Sequence, residues 1–292
     1  MTKPVLYTFP QSVWAAAPHL ALAELDVDAD VEVVNLVEGA NFDPQFLKLN
    51  PHGTLPTLAH GGKSFTSTAA VIDYLVSVSS KKVAPATSIT TVVHEDEIDP
   101  NFAFVASRND EELAKVKGSF APIFTSTRLA GLKKHAATPE AEPHKDFHDK
   151  QIAKISGLDA LLTGDAPDEA RQGFYSASTA LWDSIRVFTV ETLPAAISEG
   201  PFIGGATPGV DDYHVGAWIA RIAFLLGAQK SDEGVAALEK GFGPIPEKVK
   251  VYWSAWIARD SWVKAYPDKG LALSHTHDIC SVIDADFLTN YM

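Results

Sequence analysis

The chain has 292 residues, of which 46% are hydrophobic and 21% charged, and its formal net charge is −13. This length suits one large or two ordinary globular domains. The acidic charge disfavours nucleic acids and anionic membrane surfaces as partners, because both repel a negatively charged protein. The single cysteine, Cys280, excludes an intramolecular disulfide and favours a reducing compartment. We see no secretory leader and no apolar run of about 20 residues, so we expect a cytoplasmic protein.

The first eighty residues mix strand and helix signals. Strands are predicted at PVLYTF and DVEVVNLV, and the Gly61-Gly62 turn predicts a hairpin within LPTLAHGGKSFT. Helical spacing of apolar residues predicts helices at VWAAAPHLALAEL, DPQFLKLN and STAAVIDYLVSV. The resulting order, βαβαββα, is typical of a thioredoxin-like fold, in which helices cover a mixed sheet.

The character of the sequence changes after about residue 82. Residues 83–95 are predicted to be a linker, because the stretch around them is polar and contains proline. Helical patterns dominate residues 96–270, which we expect to form an all-helical domain. The polar stretch 133–146 is predicted to be an exposed loop between helices, and the order of the tail 271–292 is left open.

The segment NPHGTLPTL, residues 50–58, carries the first functional signal. Pro56 stands where a strand should begin, a position that requires no backbone donor. Spacing alone favours an ordinary trans proline, since cis bonds make up only about 5–6% of X-Pro bonds. A cis bond would instead turn the Leu55 backbone outward, where it could pair with an extended peptide.

The segment FTSTAAVIDYL, residues 65–75, carries the second signal. Ser67 and Thr68 precede an apolar helical pattern, which predicts at least an N-cap. A helix N-terminus with free backbone N–H groups and hydroxyls also binds carboxylates well.

Together these two segments resemble the glutathione site of glutathione transferases, and the predicted order of elements resembles that family over most of the chain. The resemblance implies a cis Leu55–Pro56 bond. Ser67 stands where most classes carry Glu or Gln, and Thr68 stands at the usual serine. With SVWAAAPHLALAEL, the segments are most similar to the fungal-specific A class, which is related to bacterial β-etherases and associated with binding of aromatic ligands. FIGGATPGVDDYHVGAW resembles the family's capping motif, with Asp212 matched and Gly209 in place of a hydroxyl residue.

The resemblance implies specific roles in binding glutathione. The Leu55 backbone, next to Pro56, would pair with the cysteinyl residue, and Ser67 and Thr68 would bind the γ-glutamyl carboxylate. Lys48 and His52 are weaker candidates for the glycyl carboxylate.

Thiolate activation is assigned to Ser12, with Tyr7 as the alternative, because several classes use a tyrosine at the end of the first strand. A hydroxyl that donates to sulfur lowers the thiol pKa, and the thiolate is the reactive nucleophile. Ser12 could also be a plain helix cap. Since no cysteine stands at this position, thiol exchange there is excluded.

An acceptor pocket for aromatic electrophiles is expected between the domains. Its candidate residues are Phe9, Trp14, Phe102, Phe104 and Phe124, each of which could equally be part of the core. No metal site is predicted: His144 and His148 have a spacing that can hold zinc, but they lack a third ligand and are interpreted as a solvated helix face.

The sequence therefore predicts a glutathione transferase that conjugates glutathione to aromatic electrophiles or cleaves aryl ethers. A homodimer is expected from the resemblance. The alternatives are a ligandin-like carrier of aromatic compounds on the same fold, and an interaction subunit that has lost catalysis.

Overall fold

Four short strands and three helices form the first part of the chain, in the predicted βαβαββα order. The computed structural model describes residues 3–10, 12–267 and 270–271. The strands and helices of this part are β1 (Val5–Thr8), α1 (Val13–Leu25), β2 (Asp30–Val33), α2 (Pro44–Leu49), β3 (Thr57–His60), β4 (Lys63–Phe65) and α3 (Thr68–Val78).

The sheet is mixed, with strand order β2-β1-β3-β4. β1 runs parallel to β2 and antiparallel to β3, and β3 pairs with β4 through the predicted Gly61-Gly62 hairpin. Leu6 and Leu58 pair across β1 and β3 and are fully buried beneath apolar residues of α1 and α3. The predicted thioredoxin-like domain is confirmed.

The rest of the described chain is mostly helical, as predicted. Its helices are α4 (Ser88–Val92), α5 (Pro100–Ala103), α6 (Asp110–Lys117), α7 (Ala121–Ala136), α8 (Lys145–Thr163), α9 (Asp168–Val187), α10 (Leu193–Ala196), α11 (Val210–Leu225), α12 (Gly234–Phe242), α13 (Glu247–Ile257) and α14 (Asp260–Ala265). A π-helical turn, Phe188–Thr192, joins α9 to α10. No helix in residues 3–10, 12–267 and 270–271 has the length and apolar character that a membrane span requires.

Helix α11 forms the centre of the helical domain. Tyr213 and Trp218 are fully buried there, and Trp253, Trp256 and Trp262 pack beside it. At its N-terminus, the carboxylate of Asp212 accepts hydrogen bonds from three backbone amides at 2.8–2.9 Å, those of Ile203, Gly204 and Gly209.

Steric crowding explains why position 209 is a glycine. It is the N-cap of α11, and a Cβ there would lie 2.9 Å from the Ala84 carbonyl oxygen. A residue with a capping hydroxyl does not fit at this position. The side-chain hydrogen bond of the capping motif therefore comes from Asp212 alone, as the sequence predicts.

The two parts of the chain are joined by packing and by an ion pair. Helix α1 packs against α11 and α14. Glu24 of α1 accepts two hydrogen bonds from Arg259, at 2.6 and 2.7 Å. The segment 83–95 contains helix α4, and the Ala84 carbonyl accepts from Val210 N–H at 3.0 Å. The domain boundaries stay a prediction, and the tail beyond Leu271 lies outside the described residues.

The exposed connection expected at 133–146 does join two helices, but it is shorter than predicted. Helix α7 continues to Ala136, and a 3₁₀ turn at Pro139–His144 leads directly into α8. His148 was expected on a solvated face but is buried, and its Nε2 lies 2.9 Å from the Phe42 carbonyl oxygen. α8 packs its His148 side against the first domain, which local polarity did not indicate.

Candidate functional site

A cavity of about 890 Å³ opens between the sheet domain and the helical domain. Most of the predicted binding residues meet there. Its lining includes Ser12, Trp14, His52, Leu55, Pro56, Ser67 and Thr68 from the first domain, and Thr90, Thr91, His94, Glu95, Asn101 and Arg128 from the second.

The loop that carries Leu55 is fixed by the asparagine of the NPHGTLPTL segment. The Asn50 amide nitrogen donates to the Thr54 carbonyl at 2.9 Å and to Thr57 Oγ1 at 2.8 Å, and its oxygen accepts from His52 N–H at 2.9 Å. Asn50 is fully buried, so these bonds are shielded from water. The loop is thereby held in one conformation before any ligand arrives.

The Leu55–Pro56 peptide bond is cis. Strand β3 begins only at Thr57, and none of the described residues hydrogen-bonds to the Leu55 backbone N–H or C=O. Both groups therefore remain available to an extended peptide, which can pair with them as a neighbouring strand would.

Ser67 is the N-cap of α3, as predicted. Its hydroxyl oxygen accepts from the Ala70 backbone N–H at 3.2 Å. The other amides of the first turn, and the positive end of the helix dipole, border the cavity beside Thr68 and Ala69. This is a favourable position for a carboxylate.

Ser12 precedes α1 and lines the cavity. Its backbone N–H donates to the Phe9 carbonyl at 2.8 Å, closing the turn after β1. The Ser12 side chain makes no capping hydrogen bond to α1, so the plain-cap interpretation finds no support. Ser12 also borders the neighbouring cavity of about 280 Å³. A serine hydroxyl at a helix N-terminus on a cavity wall can donate to an anionic ligand atom.

Tyr7, the alternative, is not brought to this cavity. It lies partly buried with its ring against Phe46, at a centroid distance of 6.0 Å. Burial, together with the nearby Glu32 carboxylate, raises the pKa of the Tyr7 hydroxyl. Of the two hydroxyl residues, Ser12 lines this cavity and Tyr7 does not.

Of the expected acceptor residues, Trp14 alone lines the cavity. Its ring stacks on His94, with the centroids 3.9 Å apart. Phe9 is buried and borders a smaller cavity of about 280 Å³. Phe102 packs against Phe174, and Phe104 packs against Phe124. Phe124 also lies against a first-domain cluster that includes Phe9 and Leu55, and none of these three candidates lines the cavity.

The two candidates for binding the glycyl carboxylate lie in different places. His52 lines the cavity, whereas Lys48 lies on the outer side of α2, where its Nζ donates to Gln45 Oε1 at 3.0 Å. Lys48 therefore does not reach the site in this structure.

The sequence analysis missed two groups in the second domain. One is Arg128 of α7, a cation at the cavity whose partners lie in the first domain. The other is His94, whose Nε2 lies 2.8 Å from Nδ1 of His214, a fully buried residue of α11. Burial lowers the pKa of His94 to about 4 and that of His214 to about 3, so both imidazoles are neutral at pH 7. Neither group belongs to a local motif.

The described residues hold no group of three or more His, Cys, Asp or Glu side chains arranged to bind a metal ion. The groups present at the cavity can supply hydrogen bonds and electrostatic stabilisation: a serine, two helix N-termini, a free backbone edge and a cation.

Residues 6–82 match the family described as "Glutathione S-transferase, N-terminal domain". Similar curated proteins include "Glutathione S-transferase 1" of Dianthus caryophyllus, 38% identical over 25% of this chain and 33% of that protein. A zeta-class glutathione S-transferase of Euphorbia esula is 34% identical over 24% of this chain and 31% of that protein. The chain thus aligns with about a third of the length of these relatives.

Two solved structures share the fold across both domains. The beta-etherase LigF from Sphingobium superposes with a TM-score of 0.55, at 16% identity, over 91% of this chain and 99% of that one. A glutathione transferase family member from Pseudomonas fluorescens, crystallised with two glutathione bound, superposes with a TM-score of 0.50, at 13% identity, over 90% and 92%. At these identities the likeness concerns the fold. The chain therefore consists of a thioredoxin-like domain, whose residues 6–82 match that family model, followed by a mostly helical domain.

Proposed function

Because residues 6–82 match the glutathione S-transferase N-terminal domain, we propose that the chain is a glutathione transferase. It binds glutathione in the cavity between its domains, holds the thiol as a thiolate and directs the sulfur at hydrophobic aromatic electrophiles. The observation that carries the proposal is the convergence on one cavity of Ser12, the unpaired Leu55 backbone and the α3 N-terminus at Ser67.

The proposed mode of binding follows from these groups. The Leu55 N–H and C=O pair with the cysteinyl backbone, and the amides at the start of α3 bind the γ-glutamyl carboxylate, with Ser67 and Thr68 beside them. The Ser12 hydroxyl then donates to the sulfur. Because that bond and the α1 N-terminus favour the charged form, they lower the thiol pKa and raise the thiolate fraction near neutral pH.

The proposed reaction needs no further group on the protein to attack the substrate. The thiolate sulfur forms a bond to an electrophilic carbon of the acceptor, and the leaving group departs with the electron pair of the broken bond. In ether cleavage that group is an aryloxide, which takes a proton from water to become a phenol. Trp14, stacked on His94, offers a flat aromatic wall for the acceptor.

The same wall supports a second candidate function, a carrier that binds aromatic compounds with little turnover. Stacking on Trp14 retains an aromatic ligand whether or not the thiolate reacts. We also propose, from the sequence resemblance, membership of the fungal-specific A class, a homodimeric assembly and a cytoplasmic location.

Retention on immobilised glutathione and conjugation of an aromatic electrophile test the proposal on the wild type and on Ser12→Ala. Retention of both proteins, with turnover lost in the variant, supports the transferase. Retention and aromatic binding without turnover in the wild type supports the carrier. If the wild type does not bind glutathione, both the function and the site assignment fail. If Ser12→Ala keeps full turnover while Tyr7→Phe abolishes it, Tyr7 is the activating hydroxyl.

A further inference from the structure

Arg128 is a cation enclosed at the junction of the two domains without a carboxylate partner among the described residues. It projects from α7 towards the first domain, where its Nη1 donates to the Leu36 carbonyl at 2.6 Å and to Asn41 Oδ1 at 3.0 Å. Its guanidinium carbon lies 4.4 Å from the centre of the Phe42 ring. All of these partners are neutral.

A buried charge normally has an opposite charge beside it, because transfer of an unpaired ion out of water is costly. Burial lowers the pKa of Arg128 to about 10, so the group stays cationic at neutral pH. A guanidinium has five N–H donors, and the hydrogen bonds to described residues all come from Nη1. The guanidinium group therefore keeps N–H donors that can bind a further acceptor.

That acceptor would lie in the cavity, because Arg128 is one of its lining residues. The other basic side chains of the lining are His52 and His94, and Lys48 is engaged with Gln45 outside it. Arg128 is thus the permanently charged cation among the described residues at this cavity. It sits beside Asn41, which donates to the Gly53 carbonyl at 2.5 Å in the loop that leads to Leu55.

The remaining step rests on the proposed function. Glutathione has two carboxylates, and the N-terminus of α3 accounts for the γ-glutamyl one. The Leu55 backbone accounts for the middle of the tripeptide. The glycyl carboxylate still needs a cation, and a guanidinium pairs with a carboxylate through two parallel hydrogen bonds.

We propose that Arg128 of the helical domain binds the glycyl carboxylate of glutathione, in the role that the sequence analysis gave to Lys48 or His52. The tripeptide site is then completed by the second domain. Helix α7 also acquires a direct influence on glutathione affinity through the same residue.

The test compares glutathione with its glycyl ethyl ester, which keeps the thiol and the γ-glutamyl group but lacks the glycyl charge. Isothermal titration calorimetry on the full-length wild type should show the ester binding about ten- to a hundred-fold more weakly. Arg128→Met should lose a similar factor for glutathione and bind the two ligands equally. Lys48→Met, the matched control on the outer side of α2, should leave both affinities unchanged.

The ester comparison needs no mutation, so it can overturn the inference even if Arg128→Met disturbs the contact with Leu36 and Asn41, whereas the assignment to Arg128 depends on the variants. Arg128→Lys, which keeps the charge, should recover part of the discrimination against the ester. Equal binding of both ligands by the wild type overturns this inference alone, as does loss of discrimination in Lys48→Met. No binding of either ligand overturns the proposed function and the inference with it.

Discussion

Asp211 supports the wall of the cavity that belongs to the helical domain, and its replacement by alanine should destabilise the protein markedly. The carboxylate is 2% exposed. It accepts from Thr90 N–H at 3.0 Å and Thr90 Oγ1 at 2.6 Å, and from Thr87 N–H at 3.0 Å and Thr87 Oγ1 at 2.7 Å. These bonds tie the first turn of α4, which carries the cavity residues Thr90 and Thr91, to the centre of the domain.

The magnitude follows from where the four donors lie. In Asp211→Ala the two Thr90 donors are left buried without a partner, which costs about 1–3 kcal/mol each. Thr87 is exposed, so water can replace its two bonds at little cost. Removing a buried charge also relieves its desolvation, which offsets part of the loss. We expect a net decrease of about 2–4 kcal/mol in the free energy of unfolding.

Urea unfolding, followed by tryptophan fluorescence and far-ultraviolet circular dichroism, measures this change. Coincident transitions are needed for a two-state treatment. Thr87→Ala is the matched control, with an expected loss of about 1 kcal/mol, because it removes one solvent-accessible donor to Asp211 and the N-cap bond from the Ile89 N–H to Thr87 Oγ1. The reasoning is refuted if the free energy of unfolding of Asp211→Ala lies within about 0.5 kcal/mol of that of the wild type. It is also refuted if Thr87→Ala lowers the free energy of unfolding as much as Asp211→Ala does.

The remaining predictions concern pH and packing. The pKa of His214 is lowered to about 3 in the folded protein. On acidification the imidazole is therefore protonated in the unfolded chain at a higher pH than in the folded protein, and the free energy of unfolding should fall as the pH drops below about 6.5. Urea unfolding at pH 7 and pH 5 measures this decrease in the free energy of unfolding, which should be about 2 kcal/mol smaller in His214→Phe than in the wild type. An equal decrease in the two proteins would contradict this prediction. Gly131→Ala would place a Cβ 1.9 Å from the Glu38 carbonyl oxygen, so it should cost about 1–3 kcal/mol and weaken glutathione binding by shifting Arg128. Gly157→Ala, an exposed helical position with open space around it, should instead gain up to about 1 kcal/mol in thermal or urea unfolding.

The elements of the first domain could be predicted from the sequence because their signals are local. The bounds of α1, Val13–Leu25, coincide with the predicted apolar stretch. The Gly61-Gly62 turn predicted the hairpin, and both glycines adopt the positive φ angles, +58° and +75°, that such a turn requires. Likewise, Ser67 was predicted as a cap from its place before a helical pattern, and it caps α3.

The parts of the site that could not be predicted depend on contacts between distant segments. Arg128 bonds to Asn41, 87 positions away, and nothing in the local pattern of α7, whose last turn also holds basic residues, sets it apart. His148 bonds to Phe42 across 106 positions, so its polar neighbours gave a misleading impression of exposure. Helical spacing shows which residues share a face, but it does not show what covers that face.

The central claim is that Ser12 stabilises the glutathione thiolate. Its most direct test is a pH titration of the ultraviolet absorbance of the thiolate in the enzyme–glutathione complex, for the wild type and Ser12→Ala. A hydrogen bond to a charged group is worth about 1.5–3 kcal/mol, and one pKa unit corresponds to about 1.4 kcal/mol. The account predicts a thiol pKa about one to two units higher in Ser12→Ala with glutathione still bound. An unchanged thiol pKa in that variant would contradict it.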